Sequence, residues 1–127
     1  MIMREIKFRG ISTYSNDWVK GGYLKTIFKD KTDDHRIYPL LYNVNPHAIK
    51  PETLGQFTGL KDKNSVDIYE GDIILYQDCK GEVYYCNDTC MFMAKFKTTH
   101  SSWSFYSMDD EITVIGNIHE NPELLNQ

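Results

Sequence analysis

The stretch PETLGQFTGLKDKNSVDIYEGDIILY, residues 51–76, decides how this chain folds. Its first half is rich in polar and turn-forming residues, and it ends in the apolar run at residues 73–76. A continuous apolar run is typical of a strand that is covered on both faces. We therefore expect Ile73, Ile74 and Leu75 to be mostly buried. The Glu-Gly-Asp turn that precedes them, at residues 70–72, is how many SH3-like barrels enter a strand.

Short strand patterns continue beyond this stretch. Residues 82–86 and 91–96 predict a hairpin, and residues 103–106 and 112–118 predict two further strands. Five closely spaced strands between Ile73 and Ile118 indicate a small curled sheet or barrel. Nine Tyr and six Phe agree with this, because aromatic residues favour pleated, half-buried surfaces. The sequence predicts a mainly β protein with a small SH3-like or barrel-like sheet in residues 51–127.

The first part of the chain, residues 1–50, is less regular, and we interpret it as an N-terminal β extension. Gly21-Gly22 lies between two strand-like runs, residues 17–20 and 23–28. Such a pair of glycines predicts a two-residue hairpin turn. We place the boundary between the two parts at Pro51, where the charge balance of the chain changes.

The charge of the chain is divided unevenly. Residues 1–50 contain nine basic and five acidic residues, a net charge of +4, and residues 51–127 contain five basic and thirteen acidic residues, a net charge of −8. A local excess of basic residues can form a nucleic-acid surface. The candidate contacts of such a surface are Lys20, Lys25, Lys29, Lys31 and Arg36. Because the acidic part would repel the same polyanion, we expect any such binding to be weak and salt-dependent.

The cysteines and histidines do not predict a metal site or a catalytic centre. Cys86 and Cys90 flank the predicted hairpin loop, but their C-x3-C spacing, without a second ligand pair, is not that of structural zinc. Three cysteines cannot all pair in one chain, which favours free thiols in a reducing compartment. No catalytic signature is present in the sequence. We expect no metal, no cofactor and no enzymatic activity.

Four carboxylates lie close together in the central stretch, at Asp62, Asp67, Glu70 and Asp72. Carboxylates in such a group can hold a divalent cation or perform acid–base chemistry. They can equally form turns, because Asp hydrogen-bonds to its own backbone. Their spacing lacks the alternation of a calcium-binding loop. The turn interpretation is therefore favoured, and a small metal-dependent hydrolase is the least favoured hypothesis.

Three segments of the chain resemble one known family. They are residues 51–76, REIKFRG at residues 4–10 and ITVIGNIHENPELL at residues 112–125, and in this order they resemble the YopX family of phage and prophage proteins. The chain has Asn64-Ser65 where the family pattern has Asn-Gly. Glycine adopts positive φ without steric cost, so this departure predicts a different turn type. The signature positions are Pro51, Glu52, Gly55, Gln56, Thr58, Gly59, Leu60, Asp62, Asn64, Ile68, Tyr69, Glu70, Gly71, Asp72, Gly116, Asn117, Asn121 and Pro122.

The resemblance implies a phage or prophage protein that works in the cytoplasm of a bacterial host cell. A membrane is not an expected partner, because no apolar run approaches the ~20 residues that a spanning helix needs. The first hypothesis is a non-catalytic accessory protein that acts as a protein-interaction module, binds a host or phage protein and self-assembles into a homo-oligomer. The alternative is a nucleic-acid-binding protein that uses the basic N-terminal half.

Overall fold

The computed structural model describes residues 3–40, 44–108 and 111–126. The strands are β1 (Phe8–Ile11), β2 (Trp18–Ile27), β3 (Asp33–Pro39), β4 (His47–Ala48), β5 (Gly55–Lys61), β6 (Asp67–Tyr69), β7 (Asp72–Tyr76), β8 (Cys79–Cys86), β9 (Met91–Phe96), β10 (Ser101–Ser104) and β11 (Thr113–Asn117). Three short 3₁₀ turns are η1 (Pro51–Thr53), η2 (Phe105–Ser107) and η3 (Pro122–Asn126). Strands make up 53% of the structure, so the prediction of a mainly β fold is confirmed. In the described ranges, no helix has the length and apolarity required to cross a membrane.

The strands form two antiparallel sheets. The first sheet has the strand order β4-β3-β2-β1-β5-β6, and the second has the order β10-β9-β8-β7-β11. The chain divides into two compact units, Met1–Phe57 and Thr58–Gln127. This division falls within β5, and the domain boundary at Pro51 stays a prediction.

The first unit is built on the long hairpin of β2 and β3. The predicted turn at Gly21-Gly22 is wrong, because β2 runs without interruption through both glycines. Gly21 pairs with Phe8 on β1 and with Pro39 on β3. A Cβ at Gly21 would collide with the carbonyl oxygen of Tyr38. This glycine is therefore required by the close approach of a neighbouring strand and not by a turn.

In the second unit, β7 to β10 form a meander in which each strand pairs with the next. The chain then passes through η2, and β11 returns beside β7, the first strand of the meander. The second sheet is therefore an antiparallel meander with its last strand beside its first, and the likeness to an SH3 barrel stays a prediction.

The core of the second unit lies against this sheet. Ile73 and Ile74 are fully buried, as the apolar run predicts, and Leu75 is half-buried. Since neighbouring residues of a strand point to opposite faces, the burial of both isoleucines means that β7 is covered on both sides. The main cluster of buried side chains is Ile68, Ile74, Tyr76, Val83, Ala94, Phe96, Met108 and Ile112.

A two-residue turn, Gln77-Asp78, joins β7 to β8, and Tyr76 pairs with Cys79 across it. The φ angles of Gln77 and Asp78 are 49° and 63°. Two consecutive residues with positive φ are the backbone of a type I′ turn, for which Asn-Gly is the usual sequence. Neither residue found here is a strong former of this turn.

Candidate interaction surfaces

Asp62 ties the loop after β5 to strand β11. Its carboxylate accepts backbone hydrogen bonds from the N–H groups of Asn64 (2.8 Å), Val66 (2.9 Å) and Val114 (2.9 Å). Burial raises the pKa of this carboxyl, but the three hydrogen bonds outweigh burial and hold the pKa below its ordinary value. Hydrogen bonds to a charged acceptor are the strong ones. Asp62 is therefore a structural carboxylate that fixes the chain on both sides of the loop.

The same loop contains the departure from the family pattern. Ser65 has a φ of 63°, in the left-handed region that glycine adopts at lower cost. Its N–H donates to the carbonyl oxygen of Asp62 at 3.0 Å. The loop thus has a left-handed residue at this position, although the residue is not glycine.

A second buried carboxylate, Asp72, closes the turn before β7. It is 2% exposed, and it accepts the backbone N–H of Tyr69 at 2.7 Å. Gly71 has a φ of 93° in this turn, and its N–H donates to the carbonyl oxygen of Val83 at 2.8 Å. The Glu-Gly-Asp pattern seen in the sequence is therefore a turn that the Asp72 carboxylate caps.

Gly116, Asn117 and Asn121 shape the end of the chain. The Oδ1 of Asn117 accepts hydrogen bonds from the backbone N–H groups of His119 and Glu120, at 3.0 and 2.9 Å. The Oδ1 of Asn121 accepts the N–H of Asn117 at 3.3 Å. A Cβ on Gly116 would lie 2.7 Å from that Asn121 oxygen. Glycine at this position leaves room for the asparagine that holds the start of η3.

Most of the other signature positions lie in η1, β5 and β6, on either side of the loop that contains Asp62. Thr58 donates from its hydroxyl to the carbonyl oxygen of Ile68 at 2.8 Å, and Gly59 has a φ of 90°. These contacts again serve the backbone. Pro51 and Glu52 belong to η1, Gly55, Gln56, Thr58, Gly59 and Leu60 to β5, and Ile68 and Tyr69 to β6.

The cysteine, histidine and acidic side chains are the potential metal ligands of the chain. In the part of the chain that the structure describes, no three His, Cys, Asp or Glu side chains are grouped as a metal site; the expected absence of zinc stays a prediction. Cys79, Cys86 and Cys90 are free thiols. Hydrogen bonds from Thr89 hold the pKa of Cys86 below its ordinary value.

One polar chain in the first unit has the composition of a catalytic triad. The hydroxyl of Tyr23 lies 2.5 Å from Nδ1 of His35, and Nε2 of His35 lies 3.4 Å from a carboxylate oxygen of Asp33. Burial, and then the charge of Asp33, raise the pKa of Tyr23. A raised pKa makes the hydroxyl a poorer nucleophile at neutral pH, since activation requires the opposite shift. We interpret these residues as a cross-strand brace between β2 and β3.

The five basic residues proposed as nucleic-acid contacts are not one cluster. Lys20 and Arg36 lie on one face of the first sheet and Lys25 lies on the other, because side chains alternate along a strand. Arg36 and Lys25 each face an aspartate of β3, at 2.7 and 3.8 Å. Lys29 and Lys31 are exposed beyond the end of β2. The charge of two of the five is therefore partly neutralised.

One face of the β2–β3 hairpin is open to solvent and carries aromatic, apolar and basic side chains. We call it the β2–β3 face and define it by Lys20, Leu24, Arg36 and Tyr38. Leu24 is 51% exposed and Tyr38 44% exposed. Gly22 lies between them, and the space above it is open. This face combines exposed apolar and aromatic side chains with basic ones, a composition suited to binding.

The far part of the same hairpin, which we call the hairpin end (residues 24–34), exposes further apolar residues. Ile27 is 66% exposed and Phe28 is 53% exposed. The loop is closed by hydrogen bonds of 2.9 Å between the backbones of Phe28 and Thr32 and between Lys31 and Phe28. Leu24 and Ile27 point to opposite sides of β2, because side chains alternate along a strand. Ile27 and Phe28 are adjacent in the chain, and exposed apolar surface of this kind is typical of interaction sites.

A groove of about 530 Å³ lies in the second unit, between β8, β9 and η3. Lys95, Lys97 and His100 line it from β9 and the turn that follows, and Pro122 and Leu125 line it from η3. The sequence alone did not indicate these residues as a site. The alternation of Lys95 with the buried Ala94 and Phe96 places that lysine on the outer side of the sheet, but the position of η3 has no signal in the local sequence.

The protein is mainly β and consists of two compact units. The described contacts of its signature residues hold the backbone in place. The sequence matches the profile of the YopX protein family over residues 7–126, and the chain belongs to the YopX family. It is similar to the crystal structure of protein EF1440 from Enterococcus faecalis, with 26% identity and a TM-score of 0.54, over 97% of this chain and 99% of that chain. No curated protein matches the sequence.

Proposed function

We propose that this protein is a non-catalytic accessory protein of a phage or prophage, and that it acts in the host cytoplasm by binding another protein. Membership of the YopX family supports this setting. The observation that carries the proposal is the hairpin end, where Leu24, Ile27 and Phe28 are each more than half exposed. Covering such side chains with a partner removes apolar surface from water, at about 25 cal/mol per Å². The partner is a host or phage protein, or a second copy of the chain.

The proposal is tested by capturing partners from infected host cells with the tagged protein, with and without nuclease. We expect the same captured proteins after nuclease treatment, and their loss from the double variant Ile27→Ser with Phe28→Ser. The matched control is Leu60→Ser with Val66→Ser, which removes side chains of similar exposure, 46% and 47%, from outside the hairpin end. Capture that depends on nucleic acid, or that both double variants lose equally, would contradict the proposal.

A second candidate function, nucleic-acid binding, is favoured by the β2–β3 face. There Lys20 and Arg36 accompany the exposed ring of Tyr38. Basic residues beside aromatic rings are the composition of surfaces that bind single-stranded nucleic acid.

This alternative is tested by anisotropy with a fluorescent single strand and a duplex at several salt concentrations. Each phosphate contact contributes about −0.9 to the slope of log K against log salt for duplex DNA, so five basic contacts allow a slope no steeper than about −5. We expect Lys20→Gln to weaken binding if the β2–β3 face is used, and Lys25→Gln, on the opposite face, to leave it nearly unchanged. Tight, sequence-specific binding at physiological salt would reverse the ranking of the two functions.

A further inference from the structure

The groove in the second unit concentrates positive charge in an otherwise acidic part of the protein. Residues 58–127 contain five lysines and twelve acidic residues. Lys61 and Lys63 pair with nearby carboxylates at 2.6 and 3.9 Å. Lys95 and Lys97 line the groove, and in the described residues neither forms an ion pair with a carboxylate. Among the residues that the structure describes, the groove therefore offers two ammonium groups without a carboxylate partner.

The contacts of these lysines keep the charge available. The Nζ of Lys97 donates to the side-chain oxygen of Asn126 at 3.0 Å. An amide oxygen accepts this hydrogen bond without carrying a net charge. Lys95 is directly opposite Glu82 on β8, and Glu82 also lines the groove, but the two do not meet as an ion pair among the described residues.

The other wall of the groove, from η3, contains two apolar residues beside the polar Asn126. The two apolar residues are Pro122 and Leu125. The volume of about 530 Å³ lies within the roughly 300–1,000 Å³ of pockets that bind a specific ligand. A ligand that fills the groove must combine negative charge on one side with an apolar group on the other.

We propose that this groove binds an extended acidic peptide segment of a partner protein. Its carboxylates lie on Lys95 and Lys97, and an apolar side chain lies against Pro122 and Leu125. Side chains two residues apart in an extended peptide share one face, about 6–7 Å apart, and the two lysines are also two residues apart. Carboxylate and aliphatic side chains both occur in peptides, whereas inorganic phosphates and polyphosphates supply only the charge.

This proposal goes beyond protein binding by the hairpin end. It concerns the second unit, and it names a ligand chemistry that the exposed apolar side chains of the first unit do not require. A protein whose hairpin end binds nothing can still bind an acidic peptide here.

The test is fluorescence anisotropy of the full chain with a fluorescein-labelled peptide of four Glu-Leu repeats. Peptides of four Gln-Leu and four Lys-Leu repeats are the controls for charge. We expect saturable binding of the Glu-Leu peptide only, which weakens as salt screens the charges. The double variant Lys95→Gln with Lys97→Gln is expected to bind at least tenfold more weakly. The matched control, Lys61→Gln with Lys63→Gln, makes the same change in net charge outside the groove and is expected to bind as the unchanged protein does.

Thermal unfolding of both double variants checks that they fold, and amide NMR shifts of the unchanged protein place the peptide without any substitution. The largest shifts are expected at Lys95, Lys97 and Leu125. Absence of saturable Glu-Leu binding, equal weakening by both double variants, or shifts confined to other strands would overturn the proposal. Displacement of the peptide by a lower concentration of tripolyphosphate would overturn it in favour of a phosphate-bearing ligand.

Discussion

Asp62 and Ser65 lie in one short loop, and they act on the stability of the protein in opposite directions. The carboxylate of Asp62 accepts three backbone N–H groups, which lets it join two distant segments of chain. Ser65 has a left-handed backbone, with a φ of 63°, which costs a residue other than glycine about 1–2 kcal/mol. Both effects are measurable by single substitutions.

We expect Asp62→Asn to lower the free energy of unfolding by about 1–3 kcal/mol at pH 7, because the amide group of Asn turns a donor toward a backbone donor. The folded-state pKa of Asp62 is lowered, so its stabilisation is present above the unfolded-state value of about 3.9 and is lost as the pH falls through the folded-state pKa. Urea unfolding from pH 7 to pH 3 measures this. The difference between the two proteins should shrink at acid pH, and a constant difference would contradict the account.

The control for this measurement is Asp88→Asn, in the exposed loop between β8 and β9. A surface substitution of this kind usually changes stability by less than about 0.5 kcal/mol. An equal loss in both variants would mean that general charge, and not the three hydrogen bonds, is responsible.

We expect Ser65→Gly to raise the free energy of unfolding by about 0.5–1 kcal/mol, because relief of the left-handed backbone exceeds the entropy that glycine loses on folding. The same substitution at Ser102, an exposed residue of β10, should lower stability by about 0.5–1 kcal/mol, since glycine weakens a strand. Chemical denaturation of both variants measures whether each substitution raises or lowers the free energy of unfolding. A loss at residue 65 would show that the serine side chain contributes more than its backbone costs.

At the scale of elements, the end of β11 and the start of η3 depend on one close contact. A Cβ on Gly116 would lie 2.7 Å from Asn121 Oδ1 and 3.0 Å from a methyl carbon of Leu124. We expect Gly116→Ala to lower the free energy of unfolding by about 1–3 kcal/mol, as overpacking does. The cost should be smaller when Asn121 is also replaced by Ala, because part of the clash is then removed.

The control for this contact is Gly22→Ala. Gly22 also lies within a strand, but a Cβ there has open space around it, and alanine lacks the entropic cost of glycine. We expect unchanged or slightly higher stability by thermal unfolding. If Gly22→Ala is as destabilising as Gly116→Ala, the Asn121 contact does not explain the glycine at residue 116.

Patterns carried by a single element could be predicted from the sequence, and patterns shared between elements could not. The run at residues 73–76 predicts burial of Ile73 and Ile74 because the apolar residues are themselves the signal. The predicted turn at Gly21 was wrong because the neighbouring strand that leaves no room for a Cβ there, at Pro39, lies eighteen residues away in the sequence. The groove combines β8, β9 and η3, which no local pattern relates.

At the scale of the whole molecule, the two sheets leave few long strand edges. The described end strands β4, β6, β10 and β11 contain only two to five residues, and short edges resist strand addition. Self-association of this protein should therefore use side-chain surfaces, of which the hairpin end, with its exposed Ile27 and Phe28, is one candidate in the first unit.

We expect light scattering to give a mass above that of the monomer at micromolar concentration, because closed homo-oligomers commonly cover exposed apolar surface. Ile27→Ser with Phe28→Ser should return the protein to the monomer mass, and Leu60→Ser with Val66→Ser should not. A monomer mass across the concentration range would remove the self-assembly hypothesis and leave a different protein as the partner.

The Gln77-Asp78 turn bears on how fast the second unit folds. An unfolded chain without glycine rarely populates two successive left-handed conformations. The turn sequence therefore does not favour the pairing of β7 with β8. Replacing the pair with Asn-Gly supplies the favoured I′ sequence and should accelerate refolding in stopped-flow experiments. An effect on the unfolding rate alone would place closure of this hairpin after the rate-limiting step, with the nucleus formed by strands farther along the meander.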